Sequence, residues 1–295
     1  MGKTLIGLIG GTGLGDRLLK ESGGRSVEVR TPFGRPSAPI LLSDIEGQPV
    51  AVLARHGRGH RFCPSTVPYR ANVWALKKLG VTHILASGAT GSLRDAIAPT
   101  DLVLVDQAID RTVRPGRTFF DEGIVAHVEF ADPFCGALRR LLADGAEGLP
   151  GVRVHAGGTY VCMEGPQFST RAESRLHRAW GADLIGMTAL PEAKLAREAE
   201  ICYALIAIAT DYDCWRPHEP GLSAQALLET IIAHLARGTE NAFALMRRAV
   251  PRIAGSVPDD CPCRSALRLA IWTDRKAIAR TALKRLKPLV GKYLK

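Results

Sequence analysis

Apolar residues gather along this chain in two kinds of run: short unbroken stretches, and longer ones that recur at helical spacing. Residues 201–209 (Ile-Cys-Tyr-Ala-Leu-Ile-Ala-Ile-Ala) are of the first kind and end abruptly in Thr210-Asp211-Tyr212-Asp213-Cys214-Trp215. A run so rich in aliphatics reads as a strand buried on both faces. Further strands are predicted over 3–10, 38–42, 49–54, 82–86, 102–105, 152–162 and 182–186. Helical spacing predicts helices over 69–79, 171–180 and 191–199, and a long helical region over 222–252 interrupted near Gly238. One more helix is expected to start at an Asp132 cap, with Pro133 in its first turn, and to run to about Ala143. Strands and helices mix throughout, so the chain reads as α/β.

Composition narrows this picture. A hydrophobic content of 46% with 30 glycines suits a compact α/β enzyme and excludes a disordered or fibrous protein. No apolar stretch reaches the length of a membrane-spanning helix, and the start shows no signal-peptide pattern, so a cytoplasmic protein is expected. The formal charge is +10, but residues 264–295 hold ten Lys/Arg against the single acid Asp274, so +9 of it lies in the tail. A basic globular face for nucleic acid is therefore not expected. Residues 1–255 read as one domain and 256–295 as an extension. In that extension Ile278, Ala282, Leu286, Leu289 and Tyr293 recur at helical spacing, despite Pro288, as a stripe packing on its own protein would. A weak contact with an acidic partner or membrane surface is the other reading.

The seven cysteines sit mostly in apolar or helical contexts, as reduced packing residues do. Cys261-Pro262-Cys263 stands apart. Such spacing suits a strained redox pair or half a metal site, but no second pair or His follows at ligand spacing, so two free thiols are expected. The eight histidines are scattered, and no metal site is expected.

Candidate chemistry lies at strand ends. Asp211 and Asp213 stand at the carboxyl end of the 201–209 strand, where open α/β sheets place their ligands. Beside an apolar wall an acid can have a raised pKa and donate a proton near neutrality; taken singly, such an acid begins a solvated turn. Gly10-Gly11-Thr12-Gly13 follows the first strand and offers backbone N–H groups and a hydroxyl to an anion. Arg55-His56 follows another strand, and arginine gives phosphate a fork of donors. Ser87-Gly88-Ala89-Thr90-Gly91 and Met187-Thr188 end two more. Together these ends suggest a phosphate at one side of a site and an acid-seeking group at the other.

With those segments placed, the chain resembles the methylthioadenosine phosphorylases of the trimeric purine nucleoside phosphorylase superfamily. The matching stretches run in order from residue 6 to about 215: IGLIGGTGL (6–14), TPFGRP (31–36), LARHGR (53–58), YRANVWAL (69–76), DQAIDR (106–111), TYVCMEGPQFSTRAES (159–174), GMTALPE (186–192) and ATDYDCW (209–215), with shorter matches at 91–93 and 180–183. The resemblance implies a single α/β domain with a central mixed, partly barrel-like sheet flanked by helices, assembled as a homotrimer. It implies reversible phosphorolysis of methylthioadenosine, with inorganic phosphate as co-substrate and no cofactor. Carried over, Thr12, Arg55, His56, the Ala89 backbone and Thr188 form the phosphate cradle, and Met187 takes the ribose position. Phe168 lies against the purine; Asp211 faces its N7 as the acid, and Asp213 faces the 6-amino edge. His127 resembles the residue lent to a neighbour's alkylthio pocket, and Ala224 and Leu227 align with that pocket's apolar wall. The nearest alternative is a 6-oxo-purine or methylthioinosine phosphorylase on the same fold. Two departures stand out. Gly88 replaces a hydroxyl residue common in relatives, with Ser87 or Thr90 a substitute donor, and Gln167 replaces a common Arg.

Overall fold

In the computed structural model the described residues are 4–11, 24–217, 221 and 223–294. Among the described residues eleven strands form one mixed sheet: β1 Leu5–Gly10, β2 Arg25–Val27, β3 Ile40–Ile45, β4 Gln48–Ala54, β5 Val81–Ser92, β6 Leu102–Leu104, β7 Gln107–Asp110, β8 Val154–His155, β9 Thr159–Cys162, β10 Leu184–Gly186 and β11 Cys202–Asp211. Helices cover it: α1 Tyr69–Lys78, α2 Gly136–Ala146, α3 Arg171–Ala179, α4 Ala189–Glu198, α5 Ala224–Ser256 and α6 Arg280–Val290.

The sheet branches at β5, which takes β1 and β11 as parallel partners and β10 as an antiparallel one at its far end. One path runs β2-β3-β4-β1-β5-β10-β9-β7, while β11 leads off through β6 to β8. Such branching bends a sheet partly round on itself, as the expected barrel-like architecture requires. Strand β11 is buried along nearly its whole length between β5 and β6, as its unbroken apolar run demands.

Two apolar layers sandwich the sheet. On one side Val73 and Leu76 of α1, Leu190 and Leu195 of α4, and Leu286 and Leu289 of α6 share a cluster with β5 residues Ile84 and Ala86. On the other, Leu138 and Leu142 of α2 and Phe243, Met246 and Val250 of α5 pack on Leu85, Ile206 and Ile208. The apolar stripe of the tail thus lies within the main core. Its cations also pair with the rest of the chain: Arg285 with exposed Glu122, and Lys292 with buried Glu200.

Several sequence expectations need correcting. Helix α5 runs unbroken through Gly238, because that glycine serves close approach: a Cβ there would sit 2.2 Å from Ile208 Cγ2 of β11. Helix α2 begins at Gly136 after a Cys135 cap, so the Asp132–Pro133 segment lies outside it. The expected strand over 82–86 extends to Ser92, straight through its glycines. The run expected over 152–162 is two short strands with Ala156 to Gly158 between them, and β2 and β7 were not anticipated at all. Cys261 and Cys263 are free thiols, as expected, but the fold also brings Cys135 and Cys202 to them, all four sulfurs within 4.8 Å of one another.

Candidate active site

Parallel pairing of β4, β1, β5 and β11 puts their carboxyl ends at one edge of the sheet. There Gly11 follows β1, Arg55 and His56 follow β4, Gly88–Gly91 lie near the end of β5, and Asp211 closes β11. Met187 and Thr188 join β10 to α4 at the same place. These residues line a cavity of about 710 Å³. Two glycines let the walls meet. A Cβ at Gly91 would come within 3.1 Å of the Asp213 Cβ and 3.3 Å of Asp211 Oδ1, and one at Gly165 (φ +66°) would strike the Met187 sulfur at 2.5 Å.

Arg55 is fully buried at one end. Its Nε and Nη2 grip the two oxygens of the Glu192 carboxylate, the latter at 2.9 Å, and Nη1 donates to the Ser87 carbonyl at 2.7 Å. Tyr203 Oη donates to the same Glu192 at 2.9 Å. Burial works against the guanidinium charge, but Glu192 outweighs it and holds the pKa above its ordinary value. The arginine is therefore a fixed cation in the cavity lining, with N–H groups beyond those committed to Glu192 and Ser87.

Beside it, His56 Nδ1 lies 2.8 Å from the Phe62 carbonyl, which can only accept, so the ring proton sits on Nδ1 and Nε2 offers a lone pair. Burial and the neighbouring Arg55 push this imidazole down to about 4, leaving it neutral near pH 7. His60 stacks on it at 4.3 Å between ring centroids.

The other end is acidic. Thr210 Oγ1 and the Asp213 backbone N–H both donate to Asp211 at 2.7 Å. Burial nevertheless raises the Asp211 pKa, with the Asp213 charge adding to it, and those two hydrogen bonds only partly offset the shift. Asp213 itself adopts a left-handed backbone (φ 48°), a conformation that aspartate tolerates better than most residues. That turn folds its amide back onto Asp211 and its side chain toward the cavity.

Of the residues named from the sequence, Arg55, His56, Ala89, Phe168, Met187, Thr188, Asp211, Asp213 and Leu227 line this one cavity. Thr12 lies outside the described residues. Ala224 does not line the cavity; it is exposed at the start of α5, three positions before Leu227. His127 is also exposed and away from the cavity, edge-on to Trp272 at 5.1 Å. Neither substitute for the missing hydroxyl at Gly88 serves: Thr90 Oγ1 donates to the Ile208 carbonyl at 3.0 Å, and Ser87 does not line the cavity. Gly88 simply leaves room, since a Cβ there would meet only Thr188 Oγ1, at 3.9 Å.

Sequence reasoning missed four contributors. Glu192 sits in a quoted motif, but nothing local reveals that it clamps Arg55 from 137 positions away. Arg114, nearly buried, donates to the carbonyls of Met163, Glu164 and Met187 at 2.9–3.4 Å and pairs with the Glu164 carboxylate. It thereby ties together two loops of the cavity wall. Ile231 and Leu235 continue the line begun by Leu227 on α5, a repeat of four that the sequence does display.

Comparison with known proteins supplies independent findings. A family model described as the phosphorylase superfamily matches residues 5–251. The chain is 48% identical to S-methyl-5'-thioadenosine phosphorylase of Koribacter versatilis, over 98% of this chain and 96% of that one. It is 49% identical to the protein of the same name from Geobacter sulfurreducens, over 98% and 99%. Among solved structures, a methylthioadenosine phosphorylase from an antarctic soil metagenomic library superposes with a TM-score of 0.89 at 44% identity, covering 98% of this chain and 99% of that one. The Schistosoma mansoni methylthioadenosine phosphorylase in complex with adenine gives 0.80 at 37% identity, over 90% and 96%.

Proposed function

The chain belongs to the phosphorylase superfamily, and we propose that its cavity performs the reversible phosphorolysis of S-methyl-5'-thioadenosine to adenine and 5-methylthioribose 1-phosphate. The observation that carries this reading is the cavity's polarity: a fixed arginine cation at one end, and a carboxyl group inclined to keep its proton at the other.

Phosphate sits against Arg55, His56, Thr188 and the Ala89 backbone. The ribose passes Met187, and the purine lies between Phe168 and the acids. As the C1'–N9 bond breaks, positive charge builds on the sugar and negative charge on the departing base. Protonated Asp211 donates to N7, while the phosphate anion stabilises the sugar cation and then bonds to C1'. The transfer is redox-neutral, and inorganic phosphate is its co-substrate. Asp213 accepts hydrogen bonds from a 6-amino group; a 6-oxo group would set oxygen against carboxylate. Leu227, Ile231 and Leu235 provide an apolar wall suited to a methylthio substituent.

Exposed Val125, Leu269 and Trp272 surround His127, because the 125–127 segment pairs with 270–272. Phe168 is 86% exposed at the cavity rim. A neighbouring copy covering these residues fits a homotrimer in which His127 closes the next subunit's methylthio pocket. Among the described residues no helix is long and apolar enough to cross a membrane, and a cytoplasmic setting suits both substrate and thiols. The deciding experiment is a substrate panel with and without phosphate. Free adenine should appear only with phosphate present, with kcat/KM higher for methylthioadenosine than for methylthioinosine. The reverse preference would replace this reading with the 6-oxo-purine one.

A further inference from the structure

At the opposite end of β11 from Asp211, the fold assembles a cluster that the catalytic reading does not use. Cys202 opens that strand, Cys135 caps the amino end of α2, and Cys261 and Cys263 flank Pro262 at a single helical turn, Pro262–Ser265. Their positions span 128 residues of sequence, yet every pair of sulfurs lies within 4.8 Å, and Cys135 Sγ is 3.7 Å from Cys261 Sγ. All four are buried in the same apolar layer, with exposures of 0–7%. We propose that Cys135, Cys202, Cys261 and Cys263 bind a structural zinc ion as a tetrathiolate.

The geometry suits the ion. Zinc–sulfur bonds of about 2.3 Å set the edges of a tetrahedron near 3.8 Å, so small rotamer adjustments close the observed spacing. Each sulfur has three sulfur neighbours, which fits one shared ion better than two separate pairs. The four ligands come from a strand start, a helix cap and a short turn, all rigid elements, and the Cys-Pro-Cys spacing presents two sulfurs to one side. Purely sulfur donors in tetrahedral array favour a soft ion such as zinc. Binding releases the four thiol protons and moves no electrons, leaving a complex of net charge −2.

The surroundings can carry that charge. Cys135 stands where the α2 dipole is positive, which favours a thiolate. His83, on β5, is paired in register with Cys202; it is buried, and its Nε2 has no hydrogen-bond partner among the described residues. Arg264 follows Cys263 directly and pairs with exposed Asp259. The ion would fasten the 256–295 extension to the root of β11, far from the cavity.

The test is the metal content of the full chain purified without chelator from zinc-supplemented cells. Elemental analysis should give about one zinc per chain, and a mercurial reagent should release it as the thiols react. In the Cys261→Ser/Cys263→Ser variant, zinc should fall below a tenth of that amount and Tm should drop, while kcat on methylthioadenosine stays near the parent value. Should that variant fail to fold, the stoichiometry of the unaltered chain still decides. Absence of zinc, with the intact mass four hydrogens short as two disulfides require, would overturn the proposal. So would zinc-free protein in which all these thiols alkylate freely.

Discussion

The carboxyl of Asp211 is pulled in two directions. Two hydrogen bonds at 2.7 Å favour its anion, and burial beside a second carboxylate favours the acid; burial wins. A proton donor of this kind must be protonated to act, so kcat/KM should fall as pH rises through its elevated pKa. Asp211→Asn keeps the shape but cannot release a proton to N7, and a general acid contributes about 10²–10⁴ in rate. We expect kcat to fall within that range while KM for phosphate stays within a few-fold. Steady-state kinetics over a pH series checks both statements, and a near-parental kcat would remove Asp211 as the acid. The two aspartates were readable in the sequence because a buried strand runs straight into them. Glu192 was not, since its meaning depends on Arg55 being buried opposite it, a fact of tertiary structure.

Elements explain where sequence reading held and where it slipped. Strand β11 and helices α1 and α3 came close to their observed bounds because each carries an undiluted period. Two of the slips occur at glycines. Gly88 and Gly91 sit within β5 without ending it, because ladder pairing to β11 at both positions, joined by β10 at Gly91, outweighs their freedom. Gly238 reads as a helix break and instead marks the point where α5 touches the sheet. Any side chain there must push the helix off Ile208, since even a Cβ would stand at 2.2 Å. Gly238→Val should therefore destabilise the protein by about 1–3 kcal/mol, the usual range for overpacking a core. Urea denaturation measures this, and unchanged stability would mean that α5 can shift freely.

At the scale of the whole molecule, two buried groups titrate against each other. His56 falls to about 4 on folding, so its contribution to stability is complete above its unfolded pKa near 6.5 and fades as pH drops toward 4. Glu198 does the opposite. Burial lifts it to about 7, against hydrogen bonds from Thr118 and the Phe119 amide, so it costs stability as pH rises from about 4.5 to 7. Their slopes cancel across much of the same window. Glu198→Gln removes one of them: its stability relative to the parent should climb by about 3 kcal/mol between pH 4.5 and 7, at roughly 1.4 kcal/mol per unit. Denaturant titrations at several pH values test this, and parallel curves would refute it. None of this was visible in the chain, nor was the meeting of four cysteines, because both depend on which distant residues share a core. The tail's apolar stripe was visible, and the fold seats it where its period pointed.

The tautomer of His56 also sets a condition on the anion itself. With Nδ1–H committed to the Phe62 carbonyl, Nε2 can only receive a hydrogen bond while the ring is neutral. An oxyanion seated there must bring its own hydroxyl. Hydrogen phosphate and hydrogen arsenate do so at neutral pH; sulfate does not, and would face the lone pair with a bare oxygen. The pocket should thus tell apart two tetrahedral dianions of nearly equal size by a single hydrogen. In competition assays near pH 7, arsenate should replace phosphate as a co-substrate, while sulfate should inhibit only weakly. Equal competition by sulfate would show that the ring gains a proton on binding.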